Sequence, residues 1–133
     1  MKMKKEELTR EIIAAAMRVH SELGPGLLES AYEACLFHEL LKQGFKVERQ
    51  KPVPIHYDGI LIDCGYRVDL LVNDEIIIEL KAVERVLPIH HAQIISYLKL
   101  AGKEIGLLIN FNVVHLREGI TRKISDLDSV GTS

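Results

Sequence analysis

The 133-residue sequence predicts a single α/β domain in which helices flank a mixed β-sheet. Two changes of hydrophobic period lead to this prediction. Apolar residues recur at helical spacing as far as Gln43, alternate from Phe45 to Ala82, and return to helical spacing after Pro88. Short turns between the early strands predict antiparallel pairs, whereas a helix between two later strands predicts a crossover. With 47% hydrophobic residues, the chain can bury a substantial core.

Two amphipathic helices are predicted at the start of the chain. The first covers residues 6–22 and ends at Gly24-Pro25-Gly26, and the second covers residues 27–43, with Gly44 as its C-cap. Their apolar stripes are Leu8, Ile12, Ala15, Ala16 and Val19 in the first helix, and Leu28, Ala31, Tyr32, Cys35, Leu36 and Leu40 in the second.

Strands dominate the rest of the chain. Pro52 and the Asp58-Gly59 turn signal divide an alternating region into four strands, and a third helix begins near Pro88. The predicted order is ααββββαββ, in one domain over residues 1–133 whose tail frays from about residue 125. The predicted strands are FKVERQ (45–50), PVPIHY (52–57), ILIDCGYRVDLLV (60–72), EIIIELKA (75–82), IGLLINF (105–111) and VVHLREG (113–119).

Composition narrows the classes of function. A formal net charge of -2 argues against a general nucleic-acid coating protein, although it allows a local basic groove. Cys35 and Cys64 lack metal-ligand spacing, so we expect reduced thiols in a cytoplasmic protein. The charged N-terminus does not resemble a signal peptide, and no apolar run approaches the ~20 residues that span a bilayer, so no membrane partner is expected.

A charged pair interrupts the most apolar strand. Three isoleucines lead into Glu79, and Lys81 follows two residues later. Burying an unpaired charge is unfavourable, so either the two form an ion pair, the commoner case for such a pair alone, or a site needs them. Asp69 lies in the preceding strand, and two carboxylates beside a lysine would suit a hard cation such as Mg²⁺ or Mn²⁺. Such a cation activates water and polarises phosphate, and Lys81 would position the water.

The turn between these two strands decides whether the carboxylates can meet. A two-residue turn at Asn73-Asp74 would place Asp69 and Glu79 on opposite faces, whereas a three-residue turn at residues 73–75 would place them on one face. The apolar pattern favours the three-residue turn. It would form one continuous core face from Val68, Leu70 and Val72 together with Ile76, Ile78 and Leu80.

Four helix and strand residues are further candidates. Glu29 would bring a third carboxylate to the metal, or would act as a first-turn acid that satisfies the helix dipole. Gln93 and Tyr97 share a face of the third helix, where they would contact substrate or form the helix surface. Arg67 would contact a phosphate or pair with Glu79.

The acidic residues and the lysine resemble a known signature. Asp69, Glu79 and Lys81 are similar to the acid, acid-x-lysine motif of the PD-(D/E)xK nuclease superfamily, although Val68 stands where a proline is expected. Gly26, Glu29 and Tyr32 in GLLESAY resemble the GxxExxY family assigned to that superfamily. The resemblance extends over residues 8–117 and implies a restriction-endonuclease-like core with a metal site at the sheet centre. The expected metal ligands are Asp69, Glu79 and Glu29; the catalytic residues are these three with Lys81; the substrate-binding residues are Gln93, Tyr97, Arg67 and Tyr32.

The predicted function is a Mg²⁺- or Mn²⁺-dependent phosphodiesterase that hydrolyses DNA or RNA. Two alternatives remain open: a non-catalytic nucleic-acid or protein-binding module on the same fold, and a phosphodiesterase for small nucleotides. A domain of this size has no separate recognition module. Any sequence specificity would therefore come from a protein partner or from homo-oligomerisation.

Overall fold

A computed structural model describes residues 3–125, which contain three helices and seven strands. The predicted fold class, a mixed sheet flanked by helices, is confirmed. The helices are α1 (Lys5–Leu23), α2 (Glu29–Lys42) and α3 (Pro88–Ala101). The strands are β1 (Val47–Pro52), β2 (Ile55–Tyr57), β3 (Ile60–Ile62), β4 (Arg67–Val72), β5 (Ile76–Lys81), β6 (Ile105–Asn110) and β7 (Ile120–Ile124).

Five strands form the main sheet in the order β1-β4-β5-β6-β7. The β5–β6 pair is parallel and the other pairs are antiparallel, because α3 provides the predicted crossover between β5 and β6. β5 is the central strand, and all of its residues except Lys81 are buried. Glu79 therefore lies in the middle of the sheet.

Helices cover both faces of the sheet. α1 and α2 pack on one face, where the core includes Leu70 and Ile78, and α3 packs on the other, where the core includes Leu71 and Ile77. A strand that is covered on both sides has no polar face, which explains the unbroken isoleucine run of β5. The carboxyl of Glu79 is the exception to this apolar setting.

The turn between β4 and β5 has three residues, as predicted. Val72 pairs with Ile76, so residues 73–75 form the connection. Asn73 and Asp74 adopt left-handed backbone angles, φ 52 and φ 56, which Asn and Asp tolerate better than most residues. Counting along the two strands from this register places Asp69 level with Glu79.

The predicted strand over residues 60–72 is wrong in its middle. β3 ends at Ile62 and β4 begins at Arg67, because Asp63 forms a local turn in which its side chain accepts a hydrogen bond from the Gly65 N–H at 2.9 Å. β2 and β3 pair only with each other, as a separate two-stranded sheet. Five strands therefore precede α3 instead of four.

The predicted last strand, residues 113–119, is also wrong. Leu116–Gly119 forms a short 3₁₀ helix, and the last described strand is β7. Gly119 lies so close to the carbonyl oxygen of Asn110 that a Cβ atom there would overlap it. The alternation of apolar and polar residues in the sequence cannot predict this close backbone contact. Residues 126–133, most of the tail that was expected to fray, lie outside the described residues.

The bounds of α2 differ from the prediction by one or two residues. α2 begins at Glu29 instead of residue 27, and Gln43 is its C-cap, followed by Gly44 at φ 89. Cys35 and Cys64 are both free thiols, as expected. Between residues 3 and 125, no helix combines the length and the apolar character that crossing a membrane requires.

Candidate active site

β4 separates from β5 at Asp69. The paired residues end at Leu70 and Ile78, and beyond them the Asp69 side chain replaces the backbone as hydrogen-bond partner. Its Oδ2 accepts a hydrogen bond from the Leu80 N–H at 2.8 Å. The break also changes the phase of β4, because Val68 packs in the α3 core and not with Leu70 as predicted.

Glu79 meets Asp69 at this break. Its side chain is buried, with 4% of its surface exposed, and its Oε1 has no hydrogen-bond partner among the described residues. Burial raises the pKa of Glu79 to about 9, and the charge of Asp69 and a hydrogen bond between the two carboxyls act in the same direction. The ammonium of Lys81 and the backbone N–H of Asp69 oppose this rise in pKa. Glu79 is therefore held in its neutral form at pH 7 by the protein alone.

Lys81 and Glu29 lie near the two acids. Lys81 ends β5, is half-buried, and lowers the pKa of both Glu79 and Glu29 through its charge. Glu29 is the first residue of α2, and partial burial, followed by the charge of Asp69, raises its pKa. Glu29, Asp69, Glu79 and Lys81 are therefore close enough to influence one another electrostatically, beside the second half of β5.

The predicted shell of three carboxylate ligands is not assembled. Between residues 3 and 125, no three His, Cys, Asp or Glu side chains are grouped so that they could hold one metal ion together. The charge of Asp69 raises the pKa of Glu29, but Glu29 does not join Asp69 and Glu79 in such a group. Two carboxylates, not three, form the centre of the site.

α3 contributes an aromatic side to the site. Tyr97 is 8% exposed, and its burial is the main cause of a raised pKa. The charges of Glu79, Tyr66 and Asp69 raise this pKa further, in that order. A hydrogen bond from Gln93 opposes this rise in pKa, so Gln93 lies beside the Tyr97 hydroxyl, as its spacing on the helix predicted. The rings of Tyr66 and Tyr97 lie 6.0 Å apart at 49°.

Tyr66 was not predicted from the sequence. It is 43% exposed, and its ring lies beside that of Tyr97. The available signal was its position three residues before Asp69, just before β4 begins. Such proximity in sequence is weak because β4 begins only at Arg67 and the preceding segment is a turn.

Tyr32 is not part of the site, contrary to the prediction that it binds substrate. It is fully buried and stacks on Phe111, with ring centroids 4.5 Å apart. Its hydroxyl donates to the Gly24 carbonyl at 2.6 Å and accepts from the Leu27 N–H at 3.1 Å. Tyr32 therefore fixes the loop between α1 and α2.

Arg67 is exposed at the start of β4, opposite Pro52 of β1. In the part of the chain that the structure describes, it forms no ion pair with Glu79, so that alternative for Arg67 is wrong. A role in contacting a substrate phosphate remains a prediction.

A second polar network, which the sequence analysis did not predict, contacts Asp69 through Gln50. Glu33, one helical turn after Glu29, is buried and accepts hydrogen bonds from Arg49 at 3.0 and 3.3 Å. Gln50 donates to Glu33 at 2.7 Å and to Asp69 at 3.2 Å. The i, i+4 spacing of Glu33 from Glu29 on an otherwise apolar helix face was the signal that could have found it.

Comparison with known protein families decides the assignment of the chain. The family model of the PD-(D/E)XK nuclease superfamily matches residues 6–123. The chain belongs to the PD-(D/E)XK nuclease superfamily. Nucleases of this superfamily generally use divalent metals. No curated protein matches the chain.

One solved structure is similar to this superfamily member. It is the crystal structure of SSO0001, which is 22% identical, with a TM-score of 0.40. The aligned region covers 98% of this chain and 73% of that chain. Likeness at this level does not bear on the site.

The acids of this PD-(D/E)XK superfamily member fit a hard divalent cation. Mg²⁺ typically takes one or two carboxylates and completes its shell with water and substrate phosphate oxygens, so Asp69 and Glu79 are sufficient. Glu79 Oε1 is a buried acceptor for which no donor exists among the described residues. A buried acceptor without a donor is uncommon unless something else satisfies it, and a cation would do so.

Proposed function

We propose that the protein is a Mg²⁺-dependent phosphodiesterase of the GxxExxY type that hydrolyses DNA or RNA, with Mn²⁺ as a substitute ion. The observation that carries this proposal is the buried Glu79 carboxyl, which faces Asp69 with one unsatisfied oxygen. A protein that needed only a scaffold would gain stability from an apolar residue at this central position. Retaining a buried acid beside a second acid supports a functional site.

The roles of the residues follow from their positions. Asp69 and Glu79 would hold the cation, which when bound polarises the phosphate and lowers the pKa of a water molecule. The charge of Lys81 acts on both Glu79 and Glu29, and its ammonium would orient the attacking water and stabilise negative charge that develops on the phosphate. Glu79 must release its proton before it can act as a ligand, since a neutral carboxylic acid is a poor one.

The α3 side of the site supports a nucleic-acid substrate. The Tyr97 hydroxyl and the Gln93 amide can donate hydrogen bonds to phosphate oxygens, and the exposed face of Tyr66 can stack on a base. Arg67 adds an exposed cation two residues from Asp69. A small-nucleotide phosphodiesterase would also use these groups, so a substrate panel is needed to separate the two functions.

The first test measures metal binding separately from cleavage. Mg²⁺ or Mn²⁺ should raise the melting temperature of the wild type, because a ligand that binds the native state stabilises it by mass action. Asp69→Asn should abolish this shift, whereas Asp63→Asn, which alters an exposed turn outside the site, should retain it. Equal metal-dependent shifts in the wild type and in Asp69→Asn would place the metal elsewhere.

The second test concerns Lys81 and the substrate. The wild type should cleave at least one member of a panel of DNA, RNA and nucleotides in Mg²⁺, and Lys81→Ala should lose cleavage while it keeps the metal-dependent thermal shift. Cleavage that is unchanged in Lys81→Ala would contradict the assigned role. Binding of nucleic acid without any cleavage by the wild type would favour the non-catalytic alternative.

Specificity and location complete the proposal. With a formal net charge of -2, the protein offers little general attraction to nucleic acid, so a protein partner or a second copy of the chain would supply specificity. Light scattering with and without a substrate duplex would distinguish a monomer from an oligomer.

The two free thiols suit a reducing, cytoplasmic environment.

A further inference from the structure

Gln50 occupies a strained position beside Asp69. Its backbone is left-handed, with φ 51, a conformation that is rare for a side chain of this type. The flanking β1–β4 pairs are Arg49 with Leu70 and Lys51 with Val68, so Gln50 lies opposite Asp69 at an interruption of the ladder. Strain of this kind persists only where the surrounding structure enforces it, and it occurs preferentially at functional sites.

The strained backbone directs the Gln50 amide between two carboxylates. Nε2 lies 2.7 Å from Glu33 Oε1 and 3.2 Å from Asp69 Oδ1. An amide nitrogen carries two hydrogens, one for each acceptor. Since both partners are carboxylates, only the nitrogen end of the amide can face them, and neither a glutamate nor an apolar residue could replace it.

The far end of this network is anchored. Glu33 is 8% exposed, and its second oxygen accepts both hydrogen bonds from Arg49. The guanidinium of Arg49 lies over the ring of Phe37, 5.1 Å from its centroid. Gln50 is itself exposed to solvent, so its amide is held in place by the hydrogen bond to the buried Glu33.

We propose that Gln50 is a positioning residue that fixes the Asp69 carboxylate for metal binding, an inference that rests on the proposed function. Asp69 Oδ2 is held by the Leu80 N–H and Oδ1 by Gln50, so the carboxylate cannot rotate. Each oxygen keeps a second lone pair for a cation. Hydrogen-bonding partners of this kind orient metal ligands, and their loss lowers metal affinity or activity by about 10–100-fold.

Gln50→Gly is the decisive variant, because glycine removes the amide and at the same time relieves the left-handed backbone. We expect it to remain folded, to bind Mn²⁺ about 10–100-fold more weakly in a calorimetric titration, and to lose kcat with little change in KM for the nucleic acid. Asp58→Gly is the matched control. It relieves the same backbone strain, φ 52, in the β2–β3 turn, and it should leave Mn²⁺ affinity and kcat unchanged.

A second variant guards against misfolding. Gln50→Met keeps the length of the side chain and the left-handed backbone but has no hydrogen-bond donor. It should therefore show the same loss of Mn²⁺ affinity. Wild-type Mn²⁺ affinity in both Gln50 variants would overturn the positioning role while leaving the proposed function intact. A wild-type protein that binds no Mn²⁺ would overturn the proposed function, and the positioning role with it.

Discussion

Replacing Glu79 by glutamine should stabilise the metal-free protein. The folded protein keeps the proton of Glu79 up to a pKa of about 9, whereas a model glutamate releases it at 4.5. Between these values the unfolded chain binds fewer protons, so the free energy of unfolding falls by ~1.4 kcal/mol for each unit of pH. The stability linked to Glu79 is fully present below pH 4.5 and is lost as the pH rises toward 9.

The size of the effect at neutral pH follows from this window. At pH 7 the unfolded chain has passed its midpoint by about 2.5 units, so Glu79 destabilises the native state by ~3 kcal/mol relative to acid pH. A glutamine has no proton to release, and it fills almost the same volume. Glu79→Gln should therefore exceed the wild type in stability by up to ~3 kcal/mol at pH 7, with the difference disappearing near pH 4.5.

Urea unfolding in the presence of a chelator, at several values between pH 4.5 and pH 8, measures this difference directly. Parallel pH profiles for the two proteins, or a less stable Glu79→Gln at pH 7, would refute the reasoning. Added Mg²⁺ supplies an internal control. It should stabilise the wild type and leave Glu79→Gln unaffected, because the variant lacks the second carboxylate that would bind the cation.

Three other substitutions test packing. Tyr32→Phe removes two buried hydrogen bonds but keeps the ring stack, so urea unfolding should show a loss of ~1–3 kcal/mol with unchanged cleavage per folded molecule. Gly119→Ala drives a Cβ into the backbone carbonyl of Asn110, and it should lower stability by about 3 kcal/mol. Gly106→Ala meets the side chains of Ile94 and Leu98 in α3, with the nearest atom 2.9 Å away, and because side chains can shift more easily than backbone it should lower stability by only ~1 kcal/mol. If Gly106→Ala proved the more destabilising of the two, that explanation of the glycines would be wrong.

Hydrophobic period was sufficient to predict the centre of the fold. A one-residue slip in β5 would have placed Glu79 on the core face with Leu70 and Val72, so the apolar pattern favoured the three-residue turn that brings Asp69 level with Glu79. The same reasoning failed at Val68, since the Asp69 side chain takes a backbone position in the ladder and shifts the phase.

Tertiary contacts set the limit of the sequence prediction at the site. The spacing of Glu29 and Tyr32 showed that they share a helix face, but it could not show that the Tyr32 hydroxyl points into a loop. Gln50 and Tyr66 are residue types common on protein surfaces. Their importance comes from partners distant in sequence, such as Glu33 and Tyr97, which no local pattern reports.

The three-residue turn has a consequence for the order of folding. β4 and β5 have the shortest connection in the main sheet, whereas the pairing of β5 with β6 must wait for α3 to close a long loop. We therefore expect Asp69 and Glu79 to approach each other early, while both are still hydrated and their repulsion is weak. The unfavourable burial of Glu79 arrives later, when α3 packs over the hairpin. Glu79→Gln should consequently slow unfolding and leave the refolding rate almost unchanged, so the acid that equips the site also shortens the lifetime of the native state.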